Sequence, residues 1–390
     1  MGAKRALVSI LITAMIGIFL SGCGAGPEKQ MEPQETPRAV PPTESVTPEE
    51  VPPSESPLQQ PEEEGPVSVR GKEEIRAALE TAIEGLRKRV ELNVAEAELS
   101  DRPDLDVTNI YYEIQRDKPR LKYAYDIAVT WEADTLLCEL SYMPYQTGEF
   151  PDGFSGISVS SLDELIHAAD THLGEDPVSI KVTNRALEPD MMNRALQQCG
   201  GGYILCMLNQ DGTQILYSPP EGMSINQCLD DLEEVDRLAD QIISDLLTET
   251  MTQRERAEKL FSYVTETVRY DPRYSTDFEH MPYTSRTALG ALRDGVAICG
   301  GYSNAVKLLF EKAGIRCYNV TGISLNQNHM WNIALLDELW LWFDATAGRG
   351  SSMQYGLRYF ALESLDTQRY TWSEESVDEL CTGAYSSPME

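Results

Sequence analysis

Two apolar segments separated by only two polar residues constrain the fold of this 390-residue chain more than any other feature. Residues 329–336 and 339–343 are rich in aromatic and branched side chains, and Asp337 and Glu338 lie between them. Such a pattern predicts two antiparallel strands joined by a tight turn. A two-residue turn fixes the register of the strands it joins, so the faces of their side chains can be assigned.

The predicted register brings a histidine and an aspartate to one face of this hairpin. It places His329 opposite Thr346, with Asp344 one step along on the same face. Residues on one face of adjacent strands lie close enough for an imidazole and a carboxylate to form a hydrogen bond. A single histidine on a strand is usually a packed core residue, but the matching aspartate favours a catalytic pair.

A cysteine at the start of a predicted helix supplies the candidate nucleophile. Apolar residues recur after Cys299 at helical spacing, and Gly314 closes the helix. The free N–H groups and the positive dipole end at a helix start stabilise a thiolate. A cysteine beside two glycines is more often structural, so the catalytic interpretation depends on His329 and Asp344.

These residues resemble the motifs of the transglutaminase-like superfamily. Its bacterial members carry a Cys-x-Gly-Tyr motif that opens a helix, then a His-Ala-Trp-Asn strand, then an aspartate that ends the next strand. The corresponding segments here are Cys299-Gly-Gly-Tyr302, His329-Met-Trp-Asn332 and Phe343-Asp344-Ala-Thr346, with matching flanks at Val268-Arg-Tyr-Asp271, Ala288-Leu-Gly-Ala-Leu292 and Tyr359-Phe360, the last as a late strand. The resemblance covers roughly residues 235 to 365 and implies a papain/transglutaminase-like α+β domain whose cysteine-bearing helix packs on an antiparallel sheet.

The resemblance also implies a role for each member of a catalytic triad. Cys299 would attack an amide carbonyl, His329 would act as general base, and Asp344 would orient the histidine. The backbone N–H of Cys299 would contribute to an oxyanion site. Two departures from the family pattern, Met330 and Gly300, lie beside these positions and bear on the shape of the pocket.

Three functions remain open at this point. The acyl thioester can be resolved by water, as in a peptidase or amidase acting on extracellular protein or cell-wall peptide. It can instead be transferred to an amine, as in protein crosslinking, or the domain can be a non-catalytic binding module. Family experience favours hydrolysis in bacteria, and the intact Cys, His and Asp argue against a pure scaffold.

The beginning of the chain is predicted to direct export. Residues 1–22 combine two early basic residues with a short apolar run, as in a signal peptide. The run ends in Leu20-Ser21-Gly22-Cys23, which resembles a lipobox, so Cys23 is predicted to carry the lipid that anchors the protein to a membrane. An ordinary secretory signal cleaved nearby is the alternative.

Three further segments complete the predicted organisation. Residues 23–66 form a tether, because residues 24–66 hold 11 of the 22 prolines and too few large apolar residues to build a core. Residues 67–222 are predicted to form a smaller α/β domain of two similar helix-strand-helix-strand-strand units, although chance similarity of short units is an alternative. Residues 223–390 are predicted to be the catalytic domain.

Charge and cysteine content restrict the partners and cofactors. The formal net charge of −31 argues against nucleic acid, since binding phosphates requires a basic surface. Eight cysteines without a Cys-x-x-Cys motif, and only four histidines, give little support for a zinc site, and we expect no cofactor. Cys138, Cys206 and Cys317 lie in apolar, strand-like runs, which favours reduced core thiols over disulfides.

Overall fold

The computed structural model describes residues 65–175 and 177–382. The predicted signal peptide, Cys23 and nearly all of the predicted tether lie outside these residues. The described part is an α+β protein with three four-stranded sheets and one pair of short strands. Among its helices, none combines the length and the apolar character needed to cross a membrane.

The first unit is a four-stranded sheet that carries two helices. Its elements are β1 (Val67–Ser68), α1 (Lys72–Glu84), β2 (Arg89–Asn93), α2 (Pro103–Asp117), β3 (Ala124–Glu132) and β4 (Thr135–Tyr142). The strand order is β1-β2-β4-β3, with β1 parallel to β2 and the other pairs antiparallel. The apolar face of α1 packs into the core of this unit. Its residues Ile75, Leu79 and Ile83 are fully buried.

The second unit repeats this topology. After a short helix α3 (Pro144–Thr147), its elements are β5 (Ile157–Val159), α4 (Leu162–Thr171), β6 (Val178–Val182), α5 (Pro189–Leu196), β7 (Leu205–Leu208) and β8 (Gln214–Ser218). The strand order is β5-β6-β8-β7, again with the first pair parallel. In both units a first strand precedes the predicted helix-strand-helix-strand-strand order. This strand has two or three residues, which are too few to produce a periodic signal in the sequence.

The remaining residues form the helices and the sheet that carry the candidate site. They are α6 (Ile225–Leu246), α7 (Gln253–Thr267), β9 (Arg269–Tyr270), α8 (Arg273–Thr276), α9 (Ala288–Leu292), β10 (Val296–Ala297), α10 (Cys299–Lys312), β11 (Cys317–Ser324), β12 (Gln327–Leu336), β13 (Leu339–Phe343), α11 (Ala345–Gly348), β14 (Tyr370–Trp372) and α12 (Glu374–Cys381). Helix α7 begins with a capping box formed by Thr252 and Glu255. The sheet has the order β13-β12-β11-β14, and α10 packs against β11 and β12.

The buried apolar residues form two clusters. The first unit has a core cluster of its own. The core of the second unit is continuous with that of residues 223–382, because one cluster joins Leu196 and Tyr203 to Tyr302 and Phe343. Two backbone hydrogen bonds of Asn319 on β11, both to the side-chain amide of Gln198, reinforce this junction at 2.9 and 3.1 Å.

The prediction of a late strand at Tyr359-Phe360 is wrong. Tyr359 has a φ of +58°, which is incompatible with an extended strand, and the strand that closes the sheet is Tyr370–Trp372. Tyr359 and Phe360 still contact the sheet, since the carbonyl of Tyr359 accepts the N–H of Asp344 at 2.9 Å and Phe360 packs on Phe343. Their apolar character reflects this packing rather than strand pairing.

Candidate active site

The hairpin that carries His329 has the register expected from its turn. Asp337 and Glu338 have φ values of 52° and 67°, as a type I′ turn requires. The two strands pair from Leu336 with Leu339 to Asn332 with Phe343. The tight turn therefore fixes which side chains of β12 and β13 share a face.

The pairing ends before the predicted contact between His329 and Thr346. Strand β13 stops at Phe343, and Asp344 becomes the N-cap of α11, with its Oδ1 accepting the N–H of Ala347 at 2.9 Å. Thr346 consequently lies in a helix and does not pair with His329. The contact between histidine and aspartate forms nevertheless, with Nε2 of His329 2.8 Å from Oδ2 of Asp344.

The carboxylate of Asp344 is buried and accepts hydrogen bonds from three directions. Its side chain is 1% exposed, and its donors are the His329 imidazole, the Ala347 N–H and the Tyr370 hydroxyl, the last at 2.8 Å. Burial alone would raise the pKa of Asp344, but the bond to His329 and the other donors hold it below its usual value. Asp344 is therefore ionised and fixed in position at neutral pH.

His329 is held between this carboxylate and the thiol of Cys299. Burial lowers the pKa of His329, but hydrogen bonds to Asp344 and Cys299 outweigh that effect and raise it to about 9. Because Nε2 faces Asp344, Nδ1 is the ring nitrogen left for the thiol. The ring is also stacked on Trp331, with centroids 5.7 Å apart, so its orientation is set on three sides.

Cys299 is the first residue of α10 and is half-buried. Its position exposes the thiol to the N–H groups of the first turn, which have no partner inside the helix. The neighbouring imidazole of His329 completes the pair that thiol chemistry uses. The structure thus brings Cys299, His329 and Asp344 together.

Two glycines allow the start of α10 to pack closely on a neighbouring backbone. A Cβ at Gly301 would lie 2.7 Å from the carbonyl oxygen of Ser285, and one at Gly300 would lie 3.0 Å from that of Arg286. A larger residue at Gly301 would therefore displace the helix start. The glycine at position 300, where the family pattern commonly has a polar residue, fits this close approach.

A buried aspartate further fixes the residue that precedes Cys299. Asp271 is fully buried and accepts hydrogen bonds from Ser285 at 2.6 Å and from the guanidinium of Arg273 at 2.9 Å. The Arg273 bond is the main cause that lowers the pKa of Asp271 to about 2. Ser285 in turn accepts the N–H of Ile298 at 2.8 Å through its carbonyl, so the network ends at the N-cap of α10.

Sequence reasoning missed Tyr370 as a member of this site. It lies 26 residues beyond Asp344, in a strand of three residues with no periodic pattern. Tyr302 and Trp331 are fully buried, and the Tyr302 hydroxyl donates to the carbonyl of Val268 at 2.6 Å. His280 is exposed and bonded to Asp277 rather than to the site.

The cysteines and carboxylates elsewhere give no sign of a metal centre. The seven cysteines in the described part of the chain are free thiols. No three His, Cys, Asp or Glu side chains of residues 65–175 and 177–382 are grouped so that they would hold a metal ion.

Comparison with known proteins identifies the family of this region. Residues 236–345 match the model of the transglutaminase-like superfamily, so this segment is a transglutaminase-like core domain. Kyphoscoliosis peptidase of Homo sapiens is 24% identical over 123 residues, which cover 28% of this chain and 18% of that protein. The match therefore spans less than a fifth of that relative.

Two solved structures show a distant similarity. A crystal structure of a TGase has 16% identity, covers 52% of this chain and 62% of its own, and gives a TM-score of 0.27. A cysteine protease candidate from Cytophaga hutchinsonii has 16% identity, with coverages of 33% and 41% and a TM-score of 0.22. The family match supports a function of the thiol hydrolase or transglutaminase type for residues 236–345.

The raised pKa of His329 predicts a pH-dependent stability. Stabilisation from the protonated imidazole is complete below the unfolded pKa of about 6.5 and is lost as the pH rises through the folded value of about 9. The free energy of unfolding should therefore fall by up to about 3 kcal/mol across that range. Asp344→Asn, which removes the charge but keeps the shape, should flatten this fall, as measured by denaturant unfolding at each pH. An equally steep fall in Asp344→Asn would contradict the assignment.

Proposed function

We propose that this protein is a lipid-anchored thiol hydrolase, a peptidase or amidase, that uses Cys299, His329 and Asp344 as a catalytic triad. The observation that carries the proposal is the 2.8 Å bond between His329 and the buried Asp344, with the second imidazole nitrogen left for the thiol of Cys299. A half-buried thiol at a helix start, next to an oriented imidazole, is the arrangement that thiol catalysis needs.

In this proposal the reaction proceeds through an acyl thioester. The Cys299 thiolate attacks the carbonyl carbon of an amide, and the N–H of Cys299 at the helix start stabilises the oxyanion. The imidazolium of His329 then donates its proton to the leaving amine as the C–N bond breaks. Water, deprotonated by the neutral imidazole, attacks the thioester and releases the carboxylic acid, while Asp344 keeps the ring oriented throughout.

Acyl transfer to an amine is the second candidate, because the same thioester can react with a lysine-like amine instead of water. What separates the two reactions is the access of water to the thioester. Cys299 is half-buried rather than enclosed, which favours hydrolysis. A non-catalytic binding module would have no need of the bonds that orient His329.

The substrate side of the proposal follows from the predicted location. An exported protein held at a membrane by a lipid on Cys23 would meet extracellular protein or cell-wall peptide. The tether over residues 23–66 would hold the catalytic domain away from the lipid surface.

The reaction is tested by offering water and an amine together. Incubation of the protein with a peptide library and a dansylated amine should give shortened peptides and little fluorescent product, and Cys299→Ser should abolish both. Products are separated by liquid chromatography and identified by mass spectrometry. Amine incorporation in excess of cleavage would show that the reaction is acyl transfer instead of hydrolysis. If neither product forms, the proposal of a non-catalytic binding module would be favoured.

The anchor is tested by its own substitution. Cys23→Ala should move the protein from the membrane fraction to the soluble fraction of the producing cells, because no thiol remains to carry the lipid. Cys381→Ala removes a thiol far along the chain and serves as the matched control. Membrane association that persists in Cys23→Ala would contradict lipidation at this residue.

A further inference from the structure

Three of the arginines on segments that adjoin the candidate site have no carboxylate partner among the described residues. The chain holds 63 acidic and only 32 basic residues, so carboxylates are in excess. Arg273 and Arg293 nearby each form ion pairs, with Asp271 and with Asp294 and Glu234. Arg286, Arg349 and Arg369, however, form none with any described residue. They share a second property, because each lies on a segment that contacts the helix start or the strand that carries Tyr370.

Arg286 lies against the first turn of the helix that carries the thiol. Its carbonyl oxygen is 3.0 Å from the position of a Cβ at Gly300 and accepts the side-chain amide of Asn304 at 3.2 Å. Its guanidinium carbon lies 5.1 Å from the ring centroid of Phe278 and 5.6 Å from that of Tyr283. Two aromatic rings thus hold the cation of a residue whose backbone contacts the helix start.

Arg349 approaches the same helix start from the segment that follows Asp344. Its Nη1 donates to the carbonyl of Thr346 at 2.6 Å, and its guanidinium carbon lies 5.6 Å from the ring centroid of Tyr270. Tyr270 pairs with Ala297, two residues before Cys299. The charge of Arg349 also acts on Tyr302, where it opposes the rise in pKa that burial causes.

Arg369 adds a third cation on the side of the histidine. Its guanidinium carbon lies 5.2 Å from the ring centroid of Tyr359 and 5.6 Å from that of Tyr370. Tyr370 is the residue that donates to Asp344, and its ring centroid is 6.4 Å from that of His329. The Nε of Arg369 is buried without a hydrogen-bond acceptor among the described residues.

The three guanidinium groups lie against aromatic rings and have no carboxylate partner among the described residues. An anion that binds to them would supply that partner. Guanidinium groups held by aromatic faces keep N–H donors at their edges, which match the two oxygens of a carboxylate. The strongly acidic remainder of the chain would otherwise repel such a ligand, so local cations are needed to attract it.

We propose that Arg286, Arg349 and Arg369 bind carboxylate groups of the substrate, so that the site selects acidic peptides. This inference rests on the proposed function, because it names the substrate class for the same thiol. A peptide with aspartate, glutamate or a free C-terminus close to the amide that is cleaved would place its carboxylates beside the three guanidinium groups.

The preference is tested with two alkylating reagents that differ only in charge. Iodoacetate carries a carboxylate, whereas iodoacetamide is neutral, and both react with the same thiolate. The ratio of their rates at Cys299 therefore reports attraction of the anion and cancels changes in thiolate population. We expect Arg286→Gln, Arg349→Gln and Arg369→Gln each to lower this ratio by about threefold or more at low salt, with a smaller effect at high salt.

Matched variants separate attraction from structural damage. Arg349→Lys keeps the charge and should retain most of the ratio. Arg256→Gln removes the same charge from α7 and should leave the ratio unchanged. Among the described residues, the Arg256 side chain bonds to the carbonyls of Met251 and Glu249. The ratio at Cys381, which is also half-buried, should not respond to any of these changes.

The outcomes distinguish this proposal from the one on which it rests. A ratio at Cys299 that stays unchanged in all three glutamine variants would overturn the selection of acidic substrates, even if the protein cleaves peptides. Absence of both cleavage and amine incorporation would overturn the enzymatic function and the substrate class with it. A fall in the ratio together with cleavage of acidic but not amidated peptides would support both.

Discussion

The buried carboxylate of Asp344 is the interaction on which the candidate site depends. It ends the strand that faces His329, caps the helix that follows, and accepts the hydroxyl of Tyr370 from the opposite edge of the sheet. A carboxylate buried without such donors would be unstable in its ionised form. Because the donors keep it charged, it can raise the pKa of His329 and fix the ring that contacts Cys299.

The position of Cys299 depends on a second constraint, which is the close packing of the helix start. Gly300 and Gly301 let the first turn of α10 lie against the backbone around Ser285, and the Asp271 network holds that backbone in turn. The second α/β unit contributes to the same support, since its core is continuous with that of the helix and Gln198 bonds to β11. The geometry of the candidate site therefore depends on more than residues 236–345.

The sequence predicts those parts of the site that follow from local rules. The tight turn at Asp337 and Glu338 determines the register of β12 and β13, and apolar spacing places Cys299 at a helix start. The bond from Tyr370 to Asp344 and the end of β13 could not be predicted from the sequence, because they depend on contacts between distant segments. The same holds for Tyr359, whose apolar surroundings resemble a strand while its φ of +58° excludes one.

The central claim, that Cys299 is a nucleophile activated by His329, is tested most directly by its reactivity. Iodoacetamide labelling near neutral pH, followed by peptide mass spectrometry, compares Cys299 with the half-buried Cys381 and the buried Cys317 in one sample. Cys299 should react fastest, and His329→Ala should slow its reaction while leaving Cys381 unchanged. Labelling of Cys299 no faster than that of Cys317 would contradict the account.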